Sequence, residues 1–233
     1  MAVAARAGDC APHRLEEVPV LRAGGLVKRW HRSEPPVLEG ADLLLDPAEL
    51  VGVVGRNGVG KTTLLRILCG LIEADAGAVW VEGLSPRRDR RGFHRRVAFL
   101  PATPTGLYAR LTVRQNMELW SKLALLPREL RQEAVDGAVD DFCLEELVRR
   151  RADRLSMGQR QRVRLALATL HAPRVLLLDE PTNSLDGESV RMLHSVLERH
   201  RRRGGCAVWC APDLDRRTSS LDRLLTLRDG RLT

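Results

Sequence analysis

Short apolar runs alternate along this chain with stretches of helical spacing, which predicts strands interleaved with helices. Leu26 to Trp30 and Ala41 to Leu45 read as short strands joined by a turn around Pro35 and Pro36, placing a β-rich layer first. Leu50 to Val54 is a continuous apolar run, as expected of a strand buried on both faces, and it leads into a glycine-rich turn. From Lys61 onward Leu64, Leu65, Ile67, Leu68 and Leu71 recur at helical spacing. Val79 to Val81 and Val97 to Leu100 are further strand candidates. Between Thr112 and Arg151 the pattern changes to amphipathic helix, the mark of an inserted helical lobe. A helix over Gln159 to Leu170 then leads to a buried strand at Val175 to Leu178, a helix at about Glu188 to Arg203, and strands at Cys206 to Cys210 and near Leu224 to Leu227.

At 233 residues the chain has length for one sizeable core with an insertion and is short for two independent domains. Its apolar runs are too short to span a bilayer, so any service to a membrane goes through a partner. Met1 to Pro19 carries scattered charges and no apolar leader, which reads as a loosely ordered extension of a cytoplasmic protein. The odd, spread-out set of five cysteines predicts reduced thiols, with Cys206 and Cys210, inside an apolar run, as buried strand residues. The net charge of +8 comes almost wholly from arginine. These arginines are dispersed among helix and loop residues, so nucleic-acid binding is not expected.

The strongest chemical signal is the run Gly55, Arg56, Asn57, Gly58, Val59, Gly60, Lys61, Thr62, Thr63, which fits G-x-x-x-x-G-K-[ST] with a strand before it and a helix after it. Its backbone N–H groups are expected to cradle phosphates, with Lys61 on the β and γ phosphates and the Thr62 hydroxyl on Mg²⁺. ATP and Mg²⁺ are the implied ligands. The run Leu176 to Pro181 is an apolar strand ending in Asp179 and Glu180, at the sheet end where ligands of open parallel sheets gather. Asp179 is suited to hold the Mg²⁺ shell, and Glu180 to polarise the attacking water.

Leu155, Ser156, Met157, Gly158 and Gln159 open the next helix, and here the chain resembles the ATP-binding cassette (ABC) family. The pentapeptide looks like that family's LSGGQ signature with Met157 at the third position. The resemblance covers about Leu26 to Leu232. It implies an α/β fold: a P-loop NTPase core with an N-terminal antiparallel β layer and an inserted α-helical subdomain at about 103–160, the whole domain running over 21–233 after a flexible extension at 1–20. It implies further that Ser156 and Gly158 contact the ATP held by a second cassette, making a nucleotide-sandwich dimer. Ser156 as a helix N-cap without a ligand is the alternative. Trp30 falls where the family stacks an aromatic on adenine, with core packing as the alternative. Ser184, Leu185 and Asp186 resemble the D-loop, and Gly106 to Val113 resembles the start of the helical lobe in the exporter-like ABC-2 group. By resemblance the chain is peripheral on the cytoplasmic membrane face, beside a permease subunit on a separate chain.

Two positions depart from the family pattern. Ala102 stands at the Q-loop glutamine and Pro212 at the switch histidine. Neither side chain is a donor, and one oxyanion-type donor is worth about 2.7–4 kcal/mol of barrier. Two readings therefore stand side by side: a transport ATPase, and a low-turnover cassette that donates its signature to a different partner or acts as a soluble assembly factor.

Overall fold

In a computed structural model of the chain, the described residues are 18–214 and 221–233. The expected N-terminal extension thus lies almost wholly outside them. Strands β1 (Leu21–Lys28), β2 (Leu38–Leu45) and β4 (Ala76–Val81) form an antiparallel sheet in the order β2-β1-β4. The second sheet runs β5-β6-β7-β3-β8-β9, from β3 (Leu50–Val54), β5 (Val97–Leu100), β6 (Val175–Asp179), β7 (Cys206–Ala211), β8 (Arg223–Arg228) and β9 (Arg231–Leu232). All its pairings are parallel except β8 with β9.

The parallel sheet is the middle layer, because its strands send alternate side chains into two different cores. Val175 and Leu177 of β6, and Cys206, Val208 and Cys210 of β7, face the core shared with helix α1 (Lys61–Leu68) and the antiparallel sheet. Leu176 and Leu178, with Ala207, Trp209 and Ala211, face the other core. That second core is filled by α3 (Val113–Leu123), α4 (Arg131–Asp141), α5 (Met157–Thr169) and α6 (Gly187–Arg202). The thiols of Cys206 and Cys210 are fully enclosed; burial pushes the Cys206 thiol up to about 12 and the Cys210 thiol well above its usual range, so both are inert packing groups.

The structure corrects several sequence boundaries. The first strand starts at Leu21 and ends before Trp30, which lies in the following turn. Its alternation is hidden in sequence by a bulge: the register shifts between Ala23 and Leu26, around Gly24 and Gly25. The second strand begins at Leu38, ahead of Ala41. Helix α2 (Arg90–His94) is an addition, one short piece whose start is capped by Asp89, the side chain accepting from the Gly92 N–H at 2.7 Å. Strand β9 is also new, and Asp229 (φ 49°) and Gly230 (φ 75°) make the tight turn that creates it.

The β1 bulge is matched by a glycine on the neighbouring strand. Gly77 has φ +84°, and a Cβ there would lie 2.4 Å from the Gly25 carbonyl oxygen. Gly77→Ala is expected to destabilise the chain by about 2–3 kcal/mol through left-handed strain and steric overlap, read as a lower midpoint in urea unfolding.

Candidate functional site

Strand β3 ends at Val54, and residues 55–60 wrap from its carboxyl end to the first turn of α1. Gly60, at φ +117°, is the N-cap; a side chain there would strike Val37, with Cβ 2.7 Å from its methyl carbon. Gly60 supplies no side-chain cap to the helix. Helices α3, α5 and α6, by contrast, are closed by Thr112, Ser156 and Asp186, whose side chains accept from backbone N–H groups of the first turn. The α1 N-terminus therefore keeps its donors and its positive dipole end for an external anion.

Lys61 is only 5% exposed, and its ammonium donates to the Gly55 and Arg56 carbonyls at 2.6 and 3.2 Å. The loop thus holds its own cation on the carbonyls of its first two residues. The next residue completes a second pair: the Thr62 hydroxyl donates to Asp179 Oδ2 at 2.7 Å, across the end of the intervening β7. Thr63 turns into the core side of α1. Burial pushes the Asp179 carboxyl above the usual carboxylate range, with Glu180's charge adding to it; the Thr62 hydroxyl, the Ala102 backbone N–H and the Lys61 charge pull the other way. A hydroxyl and a carboxylate oxygen in contact suit Mg²⁺, a hard cation that takes one or two protein oxygens and completes its shell with phosphates and water. The donor set fits the ion.

Glu180 follows Asp179 in a left-handed conformation, φ 48°, that few non-glycine residues adopt. Its N–H donates to the Cys210 carbonyl at 2.8 Å, and its Oε2 accepts from Asn183 Nδ2 at 2.6 Å, so the carboxylate is aimed by its own turn. Ser184 is also left-handed, at φ 66°. Backbone strain kept at two nearby positions is the pattern of a functional turn. Leu185 closes that turn on Thr182, and Asp186 caps α6 by accepting from the Ser189 N–H at 2.8 Å.

Ser156 caps α5 in a reciprocal box: its hydroxyl oxygen accepts from the Gln159 N–H at 3.2 Å, and Gln159 Oε1 accepts from the Ser156 N–H at 3.1 Å. The Ser156 O–H proton is left for another acceptor. Met157 is 68% exposed at the first helical position. Gly158 packs against the Ser184 carbonyl, a Cβ there falling 3.1 Å from it, so signature and D-loop candidates touch. Trp30 is 48% exposed with the Lys28 ammonium 5.5 Å from its ring centre, which removes core packing as its role.

Three residues that the sequence did not single out organise this region. Asn116 is wholly buried and brackets the 108–112 turn, its amide accepting from the Tyr108 N–H at 2.8 Å and donating to the Thr112 carbonyl at 2.9 Å. Gln161 donates to the Pro181 carbonyl at 2.9 Å, behind Glu180. Arg164 donates to the carbonyls of Pro101, Thr103 and Thr105. Their only sequence signal is a polar residue on an otherwise apolar helix face.

Because burial raises the Asp179 carboxyl above its unfolded value, ionising it opposes folding. That penalty is absent below the unfolded pKa, grows as pH rises towards the folded one, and is complete above it. Asp179→Asn is predicted to raise the thermal unfolding midpoint of the nucleotide-free chain at pH 7.5, with the gain shrinking as pH falls towards 4; paired scans at the two pH values check it.

A family model described as ABC transporter matches residues 38–183. The chain is 32% identical over 213 residues to the ABC transporter ATP-binding protein YbhF of Escherichia coli, covering 91% of this chain and 36% of that one. It thus spans about a third of YbhF. It is 37% identical over 220 residues to the aliphatic sulfonates import ATP-binding protein SsuB of Cupriavidus necator, covering 91% of this chain and 69% of the relative. A solved ATP-binding subunit of an ABC transporter superposes with a TM-score of 0.84 at 25% identity, covering 91% of this chain and 88% of that chain. The phosphate loop, the acidic strand and this fold together mean that the chain belongs to the ABC transporter family, as one of its ATP-binding domains.

Proposed function

We propose that the chain is the ATP-hydrolysing subunit of an ABC transporter, working as half of a nucleotide-sandwich dimer that drives a separate membrane permease. The observation that carries this is the Thr62–Asp179 contact beside the buried Lys61, which assembles phosphate and metal donors at one sheet edge before any ligand arrives. On ATP binding, the α1 N–H groups and Lys61 take the phosphates, Thr62 and Asp179 hold the metal, and Trp30 offers its exposed face to the adenine. Bound Mg²⁺ supplies neutralisation of phosphate charge. Glu180, already aimed by Asn183, orients the attacking water and accepts its proton. Ser156, Gly158 and Gln159 serve the nucleotide of the second cassette, and the strained turn at Ser184, Leu185 and Asp186 reports across the same interface.

The domain extends over 21–233, with its helical subdomain at about 103–160. We assign the permease contact to an apolar groove of about 740 Å³ between core and helical lobe, lined among others by Leu71, Ile72, Phe99, Trp120 and Leu123. Leu71 and Leu123 are more than half exposed there. Among the described residues no helix is long and apolar enough to cross a membrane, so the spanning segments are assigned to the partner. The direction of transport is assigned to export on the likeness of Gly106 to Val113 to the ABC-2 group; relatives of this chain include import proteins such as SsuB.

A second reading is favoured by Ala102 and Pro212, which bring no side-chain donor to the phosphate edge: slow turnover at this chain's own site, with its signature completing a site on a different cassette. ATP turnover measured beside ATP binding separates the two. For the hydrolytic reading Glu180→Gln lowers turnover about 10²–10⁴-fold while ATP still binds. Tight binding with turnover only beside a second cassette establishes the asymmetric reading, and in that case Pro212→His is expected to raise turnover of the chain alone.

A further inference from the structure

Gln161 stands on α5 two residues past Gln159 and is only 5% exposed. Its side-chain amide is engaged at both ends. Nε2 donates to the Pro181 carbonyl at 2.9 Å, and Oε1 accepts from a terminal nitrogen of Arg164. The two partners settle which way round the amide lies, because a backbone carbonyl can only accept and a guanidinium can only donate. Arg164, itself 5% exposed, is anchored in turn on the carbonyls of Pro101, Thr103 and Thr105. Gln161 therefore has a fixed support behind it and presents an N–H to the acidic turn.

Residues 180–183 form that turn, closed by the Asn183 N–H on the Glu180 carbonyl at 3.1 Å. A turn bond of this kind pairs the outer peptide groups and leaves the middle peptide without a partner inside the turn. The oxygen of the middle peptide belongs to Pro181. Pro181 is buried, so its oxygen needs a partner from the protein, and Gln161 supplies one. The middle peptide also links the two residues that set the base. Glu180 precedes it, with its N–H fixed on the Cys210 carbonyl at 2.8 Å, and Asn183 follows it, donating from Nδ2 to Glu180 Oε2 at 2.6 Å. Because the peptide is a rigid plane, a rotation of the Pro181–Thr182 unit displaces Asn183 relative to Glu180, and the carboxylate moves with its donor.

We propose that Gln161 is a positioning residue for ATP hydrolysis: by holding the Pro181 carbonyl it fixes the turn through which Asn183 aims the Glu180 carboxylate. This rests on the reading of Glu180 as the group that orients the attacking water. Arg164 also lines the apolar groove, so the groove-lining 101–105 loop and the turn of the base are joined by consecutive hydrogen bonds through Arg164 and Gln161.

Two measurements on the full chain test this, using Gln161→Glu and Gln161→Leu. Glutamate keeps an oxygen for Arg164 and loses the N–H for Pro181, whereas leucine loses both. The first measurement is amide hydrogen exchange at Asn183 in the nucleotide-free chain, where both variants are expected to exchange roughly tenfold faster or more than wild type. The second is steady-state ATP turnover beside Mg·ATP affinity. Both variants are expected to lower kcat about tenfold or more while affinity stays within about twofold, with glutamate as slow as leucine. Wild-type exchange at Asn183, wild-type kcat in Gln161→Glu, or a parallel loss of affinity and turnover overturns the proposal. Should one variant not fold, the other decides it by both readouts. Turnover unchanged by Glu180→Gln, or a wild-type chain that does not hydrolyse ATP, overturns the reading of Glu180 instead. The exchange comparison, made without nucleotide, still decides whether Gln161 holds the turn.

Discussion

A parallel sheet buried on both faces leaves polar groups only one place to go, its ends. Strands β6 and β7 alternate strictly between two cores, and every residue of both is buried. Burying an unpaired charge within either face costs several kcal/mol, so Asp179 enters only as the last residue of β6, where Thr62 satisfies it. The same logic places the glycine-rich turn at the end of β3. What makes the site is therefore the sheet: its packing forces the loop cation, the hydroxyl and the acids to meet along one edge.

The charges at that edge are held apart and in tension. Lys61 is folded onto its own loop carbonyls, while burial keeps the Asp179 carboxyl reluctant to ionise. A cation and an acid poised in this way gain from an incoming phosphate and metal, which relieve both. Left-handed backbone at Glu180 and Ser184 adds strain that the surrounding packing sustains, and the carbonyl of Ser184 lies against Gly158 of α5. The acidic turn, the signature helix and the 101–105 loop are thus mechanically joined, with α5 as the common member.

Much of this was legible in sequence wherever a local rule governs. The glycine spacing before Lys61, the apolar run ending in Asp179 and Glu180, and Ser156 with Gln159 three residues on each follow from short-range backbone chemistry. The register of β1 was not legible, because Gly24 and Gly25 break the alternation and are tolerated only against Gly77 of the neighbouring strand. The Asp229–Gly230 turn carried a local signal that the short β9 made easy to miss. Arg164 and Gln161 show in sequence only as polar residues on an apolar helix face; their roles arise from carbonyls some sixty and twenty residues away along the chain, which no local pattern encodes. The run Leu26 to Trp30 reads in sequence as one strand, whereas β1 ends at Lys28 and leaves Trp30 exposed in the turn that follows.

The central claim is that the open α1 N-terminus and the buried Lys61 form a phosphate site ready for ATP. Calorimetric titration of the full chain with ATP in the presence of Mg²⁺, beside the Lys61→Ala variant, tests it most directly. The account predicts saturable binding by the wild-type chain that weakens about a hundredfold or more when the ammonium is removed. Absence of binding, or equal binding by both chains, would contradict it.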